Sequence, residues 1–196
     1  MDTNGLQRFD YELLETLISP NASVIDLGCG KGELLAFLNV KKNIQGYGIE
    51  ISADGVQEAI KKGLSVIQAD IEETLSNYPE DNFDYAILSQ TLQELRNPEK
   101  VIAAMVKISK RAIITFYNLA HISFRMKILI KGRFPASKDL PFNWMTSNIM
   151  FMSVADFKAF CDKAGYKIVS ELYYSKRKIV KYLPNLRAQV CIFEIM

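Results

Sequence analysis

The segment Val24-Ile25-Asp26-Leu27-Gly28-Cys29-Gly30-Lys31-Gly32 admits few conformations. An apolar run, Ser23 to Leu27, feeds directly into glycines at alternate positions. Such a run reads as a buried strand, and the glycines let the backbone turn sharply and approach a ligand closely. Helical spacing follows from Gly32 to Leu38, so the loop would end at a helix N-terminus with free N–H groups. The dinucleotide fingerprint wants a small residue three positions after its second glycine. Glu33 stands there, and a carboxylate would repel a pyrophosphate. The P-loop fails too, because it requires a glycine at Ile25 and Ser or Thr at Gly32. A ligand without phosphates fits better, and NAD is not expected to bind.

The rest of the chain repeats this strand-then-helix pattern. A helix is predicted over Arg8–Ile18, ended by Pro20 and Asn21. Strands are predicted over Ile44–Glu50, Leu64–Ala69, Phe83–Ser89 and Ala112–Phe116. Helices are predicted over Ala53–Lys62, stopped by Gly63, and Pro98–Ile108, capped by Asn97, with a helical turn from Ile71 to Asn77. The strands are apolar throughout, which is the pattern of a parallel sheet covered on both faces. From 118 to 152 no period is visible. A helix capped by Ser153 and closed by Gly165 comes next. Strands Tyr166–Tyr174 and Arg187–Ile195, joined by a basic loop, imply a hairpin on one edge. The expected fold is α/β and Rossmann-like, with a mostly parallel seven-stranded sheet and a C-terminal antiparallel hairpin. A single domain over residues 1–196 is expected, with 118–152 as a lid or partner insertion.

Composition closes off other classes. The chain has 196 residues and a formal net charge of +2, with 24 basic against 22 acidic residues. That length suits one core, and that balance gives no general drive toward nucleic acid or an anionic membrane. Cys29, Cys161 and Cys191 are too widely spaced for a zinc ribbon or a disulfide framework. Neither a signal peptide nor a membrane span is expected, and a cytoplasmic location with reduced thiols is.

Chemistry concentrates at strand ends. Glu50 closes the second predicted strand, about 20 residues past the glycines, where an acidic residue accepts both ribose hydroxyls. Asp70 follows the third strand. It can accept from an adenine amino group, with Ile71 packed on the ring, or cap the following turn. Asp26, Glu50 and Asp70 thus end three successive strands. Arg8, ahead of the first helix, can clamp a carboxylate bidentately.

This combination resembles the class I S-adenosylmethionine-dependent methyltransferases. The resemblance implies that Gly28 and Gly30 bracket the methionine part of S-adenosylmethionine, with Asp26 nearby. It assigns Glu50 to the ribose and Asp70 and Ile71 to the adenine, with Ser89 and Gln90 lining the methyl-transfer side. Narrower segments resemble the methionine-biosynthesis MetW family: Gly46-Tyr47-Gly48-Ile49-Glu50, the stretch Asp84 to Gln93 with Arg96-Asn97-Pro98, Gly132-Arg133-Phe134-Pro135, and Leu140-Pro141-Phe142-Asn143-Trp144. That resemblance implies a role supporting homoserine O-acyltransferase as a partner, with no nucleic acid and no membrane involved. The chain departs from the family at Phe116-Tyr117-Asn118-Leu119-Ala120-His121-Ile122 and at Met150.

Two readings stand side by side: an S-adenosylmethionine-binding partner protein, and a methyltransferase acting on a small molecule. Ser89-Gln90-Thr91-Leu92 is not the Asn-Pro-Pro-Tyr type that holds a planar amino group. His121, the single histidine, reads as structural rather than as a general base. Methyl transfer from a sulfonium needs chiefly proximity and alignment, so no catalytic base is required by the chemistry.

Overall fold

Each central strand is an apolar run halted by a turn residue, and pairing with its neighbours satisfies the backbone that the run buries. The computed structural model describes residues 3–132 and 151–196, with side chains from Phe9 onward. In chain order these form α1 (Thr3–Leu17), β1 (Ser23–Leu27), α2 (Glu33–Lys42), β2 (Gln45–Glu50), α3 (Ala53–Lys61) and β3 (Ser65–Gln68). Next come α4 (Ile71–Thr74) with a 3₁₀ turn, β4 (Phe83–Ser89), α5 (Pro98–Ile108), β5 (Ser109–Tyr117) and α6 (Ile122–Lys131). After the undescribed stretch lie α7 (Val154–Ala164), β6 (Ile168–Ser175), β7 (Lys178–Ile179), α8 (Pro184–Arg187) and β8 (Val190–Ile195).

The strands form one sheet in the order β3-β2-β1-β4-β5-β8-β6-β7. β1 to β5 pair in parallel, and β8 runs antiparallel to both β5 and β6. Eight strands stand where seven were expected, the extra one being the two-residue β7. The final pair is antiparallel as expected, but it is not a simple edge hairpin. β8 inserts between β5 and β6, so the last strand is internal and fully buried.

Alternation along the strands feeds two cores. Ile25 and Leu27, Ala86 and Leu88, and Cys191 and Phe193 face the helices α5 and α7. Val24, Ile87 and Ile192 face the other way, toward α1 and α2. An aromatic cluster anchors the first core: Phe193 lies 4.7 Å from Phe157 and stacks on Phe116 at 5.8 Å. Phe9 against Tyr174 and Tyr11 against Phe37 tie α1 to the second face. Edge strand β3 departs from the expectation of full coverage, since most of its residues are exposed.

Two of three local expectations change. Asn97 occupies the N-cap of α5, yet its side chain makes no cap bond; its backbone N–H is taken by Glu72 Oε1 instead. Ser153 does cap α7, in a reciprocal capping box with Asp156. The stretch 118–152, expected to lack a period, contains the helix α6. Arg133, Trp144 and Met150 lie outside the described residues.

Candidate functional site

The sheet order reverses between β1 and β4, and open α/β sheets bind ligands at the carboxyl ends of the strands beside such a switch. Here those ends carry Gly28 after β1, Glu50 closing β2, Asp70 after β3 and Thr91 after β4. Gly28, Glu50, Ile51, Asp70, Ile71 and Thr91 line a cleft of about 270 Å³, extended by Glu94, Leu95 and Arg96.

The glycine loop is built around Glu50. Gly28 and Cys29 both donate to the carbonyl of Ile49, at 2.8 and 3.1 Å, which lays the loop across the end of β2. Gly30 N–H donates to Glu50 Oε2 at 2.8 Å, and Ser52 N–H donates to Oε1 at 2.7 Å. The buried carboxylate therefore fixes the loop while keeping lone pairs for a ligand. Gly28 has φ +75°, and a Cβ placed there would sit 2.7 Å from Thr91 Oγ1. Gly28→Ala is expected to destabilise the fold by about 2 kcal/mol, through left-handed strain and displacement of Thr91. Urea denaturation of the two proteins measures this.

Asp26 lies on β1, 2% exposed, and its Oδ1 has no hydrogen-bond partner. Burial, and then the nearby charge of Glu50, push its carboxyl up to about 7. A buried acid of this kind gains from a cationic group brought beside it. Asp70 Oδ1 accepts from Glu72 N–H at 2.8 Å, so the residue caps α4, and its second oxygen is not committed to that cap.

Ser89 and Gln90, like Asp26 and Gly30, are not among the residues that line this cleft. Ser89 Oγ is 3.4 Å from Thr115 Oγ1. Gln90 has φ +59°, an uncommon conformation for a side-chain-bearing residue, held by Thr115. Its Nε2 donates to Asp10 Oδ2 at 2.6 Å, and Tyr117 Oη donates to its Oε1 at 3.0 Å. Asp10 is 3% exposed, with Oδ1 unpartnered, and burial pushes its carboxyl up to about 7. Asp10, Tyr117 and Thr91 were not singled out in the sequence. Asp10 stands two residues after Arg8, whose side chain lies outside the described residues.

His121 is nearly buried at the start of α6. Its Nδ1 accepts from Ser123 N–H at 3.2 Å and caps α6. Burial lowers its pKa. Among the described residues, no group of His, Cys, Asp and Glu is arranged to hold a metal ion. No described helix is long and apolar enough to cross a membrane.

Residues 8–195 match the sequence family described as "Methionine biosynthesis protein MetW". The chain belongs to the MetW family. A curated relative from Rhodopirellula baltica, the "Bifunctional methionine biosynthesis protein MetXA/MetW", is 30% identical over 93% of this chain. The chain spans 32% of that relative's length. In three dimensions this MetW-family chain is similar to an S-adenosylmethionine-dependent methyltransferase from Mesorhizobium loti. Their TM-score is 0.69 at 14% identity, over 95% of this chain and 97% of that one. A methyltransferase from Archaeoglobus fulgidus gives 0.68 at 16% identity, over 99% of each chain. The fold is that of the class I methyltransferases.

Proposed function

We propose that this chain binds S-adenosylmethionine in the cleft at Gly28, Glu50 and Asp70, and serves as a responsive partner of homoserine O-acyltransferase. The observation that carries the reading is the Glu50-braced glycine loop beside a buried acid lacking a partner. Glu50 would accept the ribose hydroxyls. Asp70 would accept the adenine amino group, with Ile51 and Ile71 flanking the ring. Gly28 and Gly30 would line the methionine part, Asp26 would answer its ammonium, and Arg8 would clamp its carboxylate. The bound group supplies a methyl on a sulfonium, and the partner role needs only its binding energy. The joined MetXA/MetW relative supports a protein partner. For S-adenosylmethionine to regulate, it must favour one state of the complex, because equal affinity for both shifts nothing.

A second reading, methyl transfer to a small molecule, is favoured by one observation: the Asp10–Gln90–Tyr117 cluster beyond the ends of β4 and β5. Calorimetry is expected to detect binding of S-adenosylmethionine and its demethylated product, but not NAD. A pull-down with the acyltransferase from the same cell is expected to change on adding S-adenosylmethionine. Failure of the folded chain to bind S-adenosylmethionine would refute the cofactor assignment. Absence of a complex, together with methyl transfer to a metabolite, would promote the second reading.

A further inference from the structure

We infer that α6 and the segment 176–189, which carries β7 and α8, form one docking face for an acidic protein surface with an apolar centre. The inference rests on the reading of this chain as a partner protein. On α6, Ile122, Met126, Leu129 and Ile130 fall at helical spacings of four, seven and eight, and so form one stripe. All four are exposed, Leu129 by 78% and Ile130 by 71%. Phe124 alone on this helix is buried. Tyr182, 75% exposed, and Leu183, 66% exposed, belong to the neighbouring loop.

The start of α6 is tied to the second segment. Asn118, buried just ahead of α6, donates through Nδ2 to the carbonyls of Asn185 and Ala188, at 3.1 and 2.8 Å. The charge of Lys176 also reaches His121, which caps α6. Leu183 sits at φ +51°, a strained conformation for a leucine, and is fixed by bonds from Leu186 and Arg187 N–H to its carbonyl. Strain that presents an apolar side chain to solvent gains nothing for the isolated fold.

Charge identifies the occupant. Residues 118–132 and 176–189 carry eight Lys or Arg and no Asp or Glu, while all 22 acids and the other 16 bases lie elsewhere in the chain. A second copy would bring like charges together, which disfavours self-association. An acidic partner is drawn in by the rim and held by the apolar centre. A lipid surface reads one amphipathic helix, whereas this patch spreads over two segments locked by buried hydrogen bonds, as suits a shaped protein surface.

The test uses the full chain, with the same cell's homoserine O-acyltransferase as probe in a surface-binding assay. Leu129→Ser combined with Ile130→Ser alters only exposed side chains and is expected to weaken the complex about tenfold or more. Lys176→Glu combined with Arg177→Glu is expected to slow association and flatten its salt dependence. S-adenosylmethionine affinity, measured in parallel, is expected to stay within about twofold. A complex of unchanged affinity in both variants overturns this face and leaves the partner reading standing. Absence of any complex with the unaltered chain overturns both. Capture by phosphatidylserine vesicles, lost in the Leu129/Ile130 variant, with no acyltransferase binding, replaces the protein occupant with a membrane.

Discussion

Glu50→Ala is expected to lower S-adenosylmethionine affinity about 100-fold or more, equivalent to roughly 3 kcal/mol. Two losses combine. The ribose hydroxyls lose a charged acceptor, worth on the order of 1.5–3 kcal/mol. The loop also loses its brace, because Gly30 and Ser52 N–H both donate to this carboxylate. Without it the glycine loop must be ordered at the expense of binding energy. Glu50→Gln gives an intermediate case, since one carboxylate oxygen becomes an amide that turns donors toward a backbone N–H. Asp26 responds as well: its carboxyl is raised in part by the charge of Glu50, so it titrates lower in the alanine variant. Calorimetry at constant pH, with circular dichroism confirming the fold, makes the measurement. Unchanged affinity in a folded Glu50→Ala protein would put the ribose elsewhere.

The legible parts of the structure were those fixed locally. Ser23–Leu27, Phe83–Ser89 and Pro98–Ile108 appear with the bounds their sequences predict, because local signals mark them: apolar runs for the two strands, with Gly28 closing the first, and Pro98 at the first turn of the helix. The glycine loop and the carboxylates at the strand ends were legible for the same reason, since strand end and ligand contact coincide in this fold. α6 was not legible. Its apolar residues lie on the exposed side as well as the buried one, so no polar face marks a period. The insertion of β8 between β5 and β6 was hidden too, because pairing between non-consecutive strands leaves no trace in a local pattern. Asp10 was missed through distance along the chain. Its partner Gln90 lies 80 residues away, and only the docking of α1 brings them together. Glu50 was legible as an acid at a strand end, but its hold on the glycine loop was not, because that depends on where its side chain turns.

Asp10→Asn is expected to raise stability at pH 8 by up to about 4 kcal/mol while changing little at pH 4. Asp10 is 3% exposed, and one carboxylate oxygen has no partner, so its ionised form is poorly solvated in the folded state. Gln90 offsets part of that cost through a 2.6 Å bond, yet the carboxyl still stands at about 7 against an ordinary 3.8. Between those values the folded chain holds a proton that the unfolded chain has released. Stability therefore falls as pH rises from about 4 to about 7, and the penalty is complete above 7. Asn is isosteric, keeps an oxygen for Gln90, and never ionises, so it removes the penalty without emptying the space. Asp26 carries the same sign over the same window, its carboxyl also standing at about 7. Asp10→Asn should thus flatten the pH dependence of stability without abolishing it, and Asp10→Asn with Asp26→Asn should flatten it further. Urea denaturation at pH 4.5, 6 and 8 tests this. An Asp10→Asn protein less stable than the parent at pH 8 would mean that Asp10 is ionised in the fold and answered by a cation.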